Sequence, residues 1–490
     1  MTPQTLSNHD LISCVKSSQM LDFLPESKVW FTHLNLHKYQ GKKIPDNDII
    51  AEQLISYYDL ADIQHFLLLI DHHQIEQWTE ENEPVSFQVL IEIELCNRKN
   101  ELQNNLLEMR GCVWKNVIDP ETILEIFKNN PNSLLDAVAL NRQAVIVDSK
   151  QPLRLEVLKI PKPWGYEGWY TGVEKRGVVK VTDDFGKTEL PCALTLFKKQ
   201  MLAGHSESLI LLKTLNPVAE EAVGDLYFEL HEKKWEVYVV TEIDNTAWPS
   251  GTGIIKAGLC PEKIEKYQQN HGNEWTTKLL HDFKSAVGEY EKIRRQIDDS
   301  QDQITKEMLA QELELRENAS DFVGDLPVKV GEIISFPVLQ IHSLRHGIKV
   351  IEFQTPHYER LILMFAQKVL TQNHWDTEEA INKMQADVYH PPKLECIQKS
   401  TGLAVERFNE FPQFAFDRIC LEPNNSFKDQ LDGKYHLLIV ISGQAEVSPL
   451  KGKPIVLNAE ESLFMPVAMG SYRLESTGES QLICLKAAPK

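Results

Sequence analysis

Residues 326–363, LPVKVGEIISFPVLQIHSLRHGIKVIEFQTPHYERLIL, constrain the fold of this chain more than any other stretch. Two β-type runs, 328–336 and 347–353, flank a short segment that carries His342. In the second run Ile348, Val350, Glu352 and Gln354 share one face by period-2 alternation, while Lys349, Ile351 and Phe353 share the other. Gly331 and Pro337 punctuate the first run and Gly347 opens the second. The pattern predicts two strands with His342 in the segment between them.

The spacing Gly331, Pro337, His342, His346 resembles the second signature motif of the cupin superfamily, G-x5-P-x-G-x2-H-x3-N, with Leu339 in place of the inner Gly and His346 in place of the Asn. The resemblance implies that His342 is a metal ligand held by a small double-stranded barrel. Its partners belong upstream, in GDLYFELHEKKWEVYVV (224–240), where Glu229, His231 and Glu236 stand as E-x-H-x4-E against that family's H-x-H-x3–4-E. The chemistry is also readable without the family. Positions 229 and 231 share one strand face, the polar tip at 232–234 can turn the chain, and Glu236 begins a returning strand, so a hairpin is expected. Oxygen and nitrogen donors from these three residues, with His342 as a fourth, suit Zn, Fe, Mn, Ni or Co.

Length predicts two to four domains, since 490 residues exceed what one core organises. A net charge of −20 argues against a phosphate-backbone binder, so no nucleic-acid partner is expected, although a local basic pocket could still take a small anion. The eight cysteines are scattered without a C-x-x-C pair, which fits reduced thiols. The first residues, MTPQTLSNHD, lack a basic start and apolar core, and no run approaches about 18 consecutive apolar residues. A cytoplasmic protein without a membrane partner is expected; no signal bears on its oligomeric state.

Residues 1–150 read as a mixed, mostly helical region. The run 47–69 has helix-like apolar spacing, and short helices are expected over 120–127 and 133–139, after Asp119 and Asn132 as N-caps. Asp71-His72-His73 reads as a solvated loop or structural triplet. From residue 151 the composition changes, with PKPWGYEGWYTG (161–172) fitting a rigid entry loop. Strands are expected at 176–182, 192–197 and 208–215. The segment 261–320 reads as a solvated helical insertion with a possible part in closing over a substrate, 373–388 as a helix, and Pro391-Pro392 as a boundary. The last hundred residues read as a β-rich unit in which Ser471, or a near neighbour, stands where His342 stands in the first. The expected fold is therefore mainly β with helical insertions. It comprises a mixed N-terminal region (1–150), a metal-binding cupin domain (151–390) and a C-terminal cupin-like jelly-roll barrel without metal ligands (391–490).

This organisation, and IHSLRHGIKVIEFQ, LPVKVGEIISFP and PWGYE within it, resemble type I mannose-6-phosphate isomerase over about residues 160–488. The resemblance implies a zinc site formed by Glu229, His231, Glu236 and His342, with a carboxylate at position 229 where the family has Gln. It implies catalytic roles for Lys234, two residues before the ligand Glu236, and for Arg360, which follows the E-F-Q segment. The reaction implied is interconversion of an aldose and a ketose phosphate, mannose 6-phosphate and fructose 6-phosphate, with Lys198, Lys199 and Lys213 as candidate phosphate contacts. Two other readings of the same residues stay open: an iron oxygenase, since two His and a carboxylate also make a facial triad, and a non-catalytic sugar-phosphate-binding protein.

Overall fold

The computed structural model describes residues 20–24, 29–36, 50, 65–75, 84–94, 109–130, 133–174, 177–197, 209–300 and 304–490. They are mainly β and divide into two compact units, one drawn from Lys159–Trp169 and Ile210–Leu394, the other from Met1–Leu158, Tyr170–Leu209 and Glu395–Lys490.

The first unit is a pair of sheets. Its strands are β1 (Leu211–Pro217), β2 (Phe228–Leu230), β3 (Glu236–Ile243), β4 (Gly253–Leu259), β5 (Val323–Val328), β6 (Ile333–Phe336), β7 (His342–Ser343), β8 (Ile348–Gln354) and β9 (Leu361–Met364). One sheet runs β6-β3-β8-β1, extended by Gly165–Trp169 and Leu158–Lys162; the other runs β5-β4-β7-β2-β9. The β-branched alternation of β8 places it centrally, antiparallel to both β1 and β3, and six of its seven residues, all but Lys349, are buried. Gly347, at φ +64°, enters β8 in a left-handed turn where an added Cβ would lie 2.8 Å from that of Ala247, so glycine is required there.

Between β4 and β5 the chain forms α1 (Pro261–His271), α2 (Trp275–Asp299) and α3 (Lys306–Ser320). Pro261 starts α1 and Gly272 ends it, while the Thr305 hydroxyl caps α3 by accepting from the Met308 N–H. This insertion was expected to be solvated, and one face is not. Leu279, Phe283, Ala286, Val287, Tyr290, Ile293 and Ile297 recur at helical spacing and join the apolar cluster of Tyr238, Val240, Phe336 and Ile348. Burying each large side chain contributes about 1.5–3 kcal/mol, so α2 helps to close the core beneath the sheets.

The second unit corrects the expectation of a mostly helical N-terminal region. Its described residues form a six-stranded sheet in chain order, Met20–Leu24, Val29–Asn35, His65–Ile75, Pro84–Glu94, Met109–Lys115 and Ile146–Asp148, with helices Pro120–Asn129 and Leu134–Arg142. The 47–69 run misleads because Phe66 to Ile70 are buried on both faces of a strand that pairs in parallel with Val29–Asn35. A strand buried on both sides loses its alternation and resembles a buried helix. Of the rest of that run only residues 50 and 65 are described, and Asn132 lies outside the described residues. Asp71 and His72 lie buried in that strand rather than in a solvated loop, with Asp71 accepting from His33 (2.8 Å) and Gln88 (2.7 Å). The segment expected as a strand at 192–197 begins as the helix Leu190–Leu194, whose first turn holds Pro191, a residue with no N–H for a ladder.

The C-terminal part of this unit contributes β10 (Phe414–Leu421), β11 (Ser426–Gln430), β12 (His436–Ser442), β13 (Ala445–Pro449), β14 (Ile455–Leu457), β15 (Ser462–Met465), β16 (Ser471–Ser476) and β17 (Leu482–Pro489). Their order is β15-β12-β17-β10 within a nine-stranded sheet and β14-β13-β16-β11 in a four-stranded one. Strand for strand, this repeats β6-β3-β8-β1 and β5-β4-β7-β2. The six described cysteines are free thiols, and among the described residues no helix is long and apolar enough to cross a membrane.

Candidate metal centre

Glu229 and His231 lie on and just after β2, and Glu229 stands opposite His342 of β7 in the ladder. Glu236 begins β3, opposite Phe336 and Gln354 in the other sheet. The expected hairpin is therefore not formed. β2 pairs with β7 and β9, β3 pairs with β6 and β8, and residues 231–235 cross from one sheet to the other. The two sheets together bring the four donors to one place, which a hairpin within one sheet was expected to do.

The candidate ligand atoms of Glu229, His231 and His342 all lie within 4.8 Å of one another. Glu236 Oε2 is 3.1 Å from His342 Nε2 and 3.5 Å from His231 Nε2. Glu229 Oε2, His231 Nε2, Glu236 Oε2 and His342 Nε2 are buried without hydrogen-bond partners. Leaving such groups unsatisfied costs about 1–3 kcal/mol each, which points to a ligand that completes them. The imidazoles are oriented for one: His231 Nδ1–H donates to the Glu359 carbonyl at 2.9 Å and His342 Nδ1–H to the Gln340 carbonyl at 3.0 Å. Each ring thereby turns its Nε2 lone pair inward, the tautomer a metal requires. Phe336 stacks on His342 with ring centres 4.1 Å apart, fixing its plane. Two imidazoles and two carboxylates fit zinc or a similar divalent ion.

Charge surrounds this donor set. Burial would raise the Glu236 carboxyl, but the Lys234 ammonium, 2.5 Å from Glu236 Oε1, and then His231 hold it well below the ordinary range. Burial likewise opposes ionisation of Glu229, and His231, Lys234 and Arg360 outweigh it. Burial and the Lys234 charge push the His231 imidazole below its usual value, against the pull of Glu236 and Glu229. Deeper in the same interior, Lys213 of β1 pairs with Glu352 of β8 at 3.1 Å. Burial pushes the Glu352 carboxyl well up; Lys213 opposes this and the Glu236 charge adds to it.

Arg360 pairs with neither Glu359 nor Glu352: its guanidinium lies 4.4 Å over the Tyr227 ring and donates to the Thr371 hydroxyl at 3.1 Å. Lys234, at the tip where solvation would be ordinary, is buried against Glu236. Lys213 has its charge committed to Glu352, and Lys198 and Lys199 lie outside the described residues. His346 is tied to Asp225 at 2.8 Å and stacked on Trp248, away from the donor set. Sequence reasoning missed the Lys213–Glu352 pair as part of the site. The available signal was Glu352 and Gln354 on an otherwise apolar strand face.

No protein-family model matches the sequence, and no curated protein matches it at a significant level. Solved structures do resemble it. A phosphomannose isomerase from Salmonella typhimurium, solved as a single-residue variant, is 13% identical over 69% of this chain and 99% of its own, with a TM-score of 0.52. The mannose 6-phosphate isomerase from Bacillus subtilis is 13% identical over 68% of this chain and 99% of its own, with a TM-score of 0.49. At this identity the likeness is one of fold.

Proposed function

We propose that this chain is a metal-dependent isomerase of aldose and ketose phosphates, interconverting mannose 6-phosphate and fructose 6-phosphate on the first of two cupin barrels. The observation that carries the reading is the set of buried, unpartnered donors Glu229, His231, Glu236 and His342, on a fold shared with phosphomannose isomerases. These four would hold a divalent ion, zinc by donor chemistry. When bound, the ion supplies Lewis-acid polarisation of a substrate carbonyl or hydroxyl oxygen.

The protein's own groups supply positive charge. Isomerisation moves a proton between C1 and C2 through an enediol and needs positive charge where the oxyanion develops. Arg360, its plane fixed on Tyr227, presents a guanidinium fork beside Glu229 for that charge. Lys234, held against Glu236, adds a second positive charge at the ion's edge. The buried aromatic floor of Phe336 and Tyr238 keeps water from the imidazoles and strengthens each electrostatic contact.

The test is metal analysis of the purified chain followed by an assay for fructose 6-phosphate formed from mannose 6-phosphate. About one divalent ion per chain and turnover that a chelator abolishes are expected. Metal-loaded protein that turns over no aldose or ketose phosphate would overturn the isomerase reading in favour of a sugar-phosphate-binding protein.

A further inference from the structure

We infer that Glu359 is the positioning residue of the metal centre, clamping the sheet-to-sheet crossing that carries two ligands and Lys234. The inference rests on the metal-site reading above. Its backbone carbonyl accepts from His231 Nδ1–H at 2.9 Å. Its carboxylate accepts three consecutive main-chain N–H groups: Glu232 at 2.9 Å on Oε2, Lys233 at 2.8 Å and Lys234 at 3.0 Å, both on Oε1. The next N–H, that of Trp235, donates to the Thr355 hydroxyl at 3.0 Å, and the Thr355 N–H returns a bond to the Trp235 carbonyl at 3.1 Å.

The reason for such a clamp lies in the topology. Residues 232–235 leave one sheet and have not joined the other, so no ladder can take their N–H groups. Yet His231 stands at one end of this crossing and Glu236 at the other, with Lys234 between them. A ligand set holds a metal well only if its geometry is fixed to within about half an ångström. A charged carboxylate taking three N–H groups makes stronger bonds than a neutral acceptor could. Glu359 also precedes Arg360, so one residue ties the crossing to the segment that carries the guanidinium. It touches no reacting atom; it acts through His231 and Lys234.

The experiment measures zinc affinity and release rate of the full chain against a competing chelator, for wild type, Glu359→Gln and Glu359→Ala, with folding checked by circular dichroism. Removing a group that orients a ligand costs roughly 10–100-fold in metal affinity, and that loss is expected for Glu359→Ala. In Glu359→Gln the amide oxygen can still accept from Lys233 and Lys234, but its NH2 faces the Glu232 N–H. An intermediate loss, below about tenfold, is therefore expected, with faster release following the same order. A folded Ala variant within twofold of wild type would overturn the proposal; should that variant not fold, a Gln variant equal to wild type does so. Wild type that takes up no divalent ion fails both this inference and the metal-site reading. Wild type that binds zinc but turns over no sugar phosphate fails the isomerase reading alone and leaves the affinity order standing.

Discussion

The β1–β8 sheet pair and the β10–β17 pair share a strand order but fill equivalent positions with opposite chemistry. The ladders give the correspondence. Lys213 faces Glu352 across β1 and β8, and Asp417 faces Lys486 across β10 and β17. Glu229 faces His342, and Asp429 faces Tyr472, with Glu236 and His436 each seven residues downstream at the first position of β3 and β12. His231 falls at Leu431. The expected counterpart of His342, near Ser471, is thus the buried Tyr472.

In the C-terminal copy Lys486 Nζ lies 2.8 Å from Asp417 and 2.6 Å from Asp429, Arg407 takes Asp417 through two bonds of 2.7 and 2.8 Å, and the Tyr472 hydroxyl donates to Asp429 at 2.9 Å. Two cations balance two carboxylates, and the protein's own ammonium stands where charge neutrality needs one. In the β1–β8 copy Lys213 pairs with Glu352, Lys234 pairs with Glu236 and Arg360 lies beside Glu229, yet Glu229 Oε2, His231 Nε2, Glu236 Oε2 and His342 Nε2 remain without hydrogen-bond partners. The same strand order is closed by a lysine in one half and holds four unpartnered donor atoms in the other.

The largest effect should come from breaking the open half. His342→Ala removes one of four donors and should take bound metal from about one ion per chain to almost none by elemental analysis. Tyr472→Phe, at the matching position, should leave metal content unchanged. Equal metal content in the two variants would dissolve the distinction.

Breaking the closed half should cost stability instead. Lys486→Met leaves Asp429 without a cation and Asp417 with only Arg407, and losing one partner of a buried charged cluster costs about 3–5 kcal/mol. Urea unfolding of the full chain should show that loss in the C-terminal strands by hydrogen exchange, with metal content intact.

His436 sharpens the contrast through pH. Burial, with Lys486 adding and Asp429 opposing, pushes its imidazole down to about 4, against about 6.5 when unfolded. Between those values the unfolded chain binds the extra proton. The contribution is therefore complete above pH of about 6.5 and is lost as pH falls towards 4, by about 3 kcal/mol at most. His436→Gln should flatten that part of the stability–pH curve. His72, also pushed down to about 4 by burial with Asp71 opposing, adds a slope of the same sign in the same unit.

Part of the open half was legible because strands write their faces into the sequence at period 2: spacing puts Glu229 and His231 on one strand face, and the resemblance to family motifs was needed to join Glu236 and His342 to them. What spacing cannot reveal is which strand meets which. E-x-H-x4-E reads equally as a hairpin or as a crossing between sheets, so the demand for a clamp such as Glu359, more than a hundred residues away, left no local trace. A second barrel was expected, but its residue-by-residue match to the first was hidden for a related reason. Lys213 and Glu352 became Asp417 and Lys486, a swap that preserves the pair across a ladder while erasing any likeness along the chain.

The smallest difference lies in the loops before β7 and β16, which open with Pro337-Val338 and Pro466-Val467. Each contains a left-handed residue: Gly470 at φ +72° in the closed half, and Leu339 at φ +65° in the open one, where the resembling motif has glycine. A non-glycine residue there costs roughly 1–2 kcal/mol, and Leu339 is held to it by donating its N–H to the His231 carbonyl and accepting from Gln385 at 2.9 Å. Its partly buried side chain packs on the apolar cluster, so simple truncation mixes lost packing with relieved strain. Comparing two truncations separates them. Leu339→Ala loses the packing and keeps the strain; Leu339→Gly loses the same packing and releases it, less about 0.5–1 kcal/mol for the freer unfolded chain. The glycine variant should therefore be the more stable of the two by about 1 kcal/mol in urea unfolding, the reverse of the usual order. An alanine variant as stable as the glycine one would mean that the open half carries no strain beside its ligand.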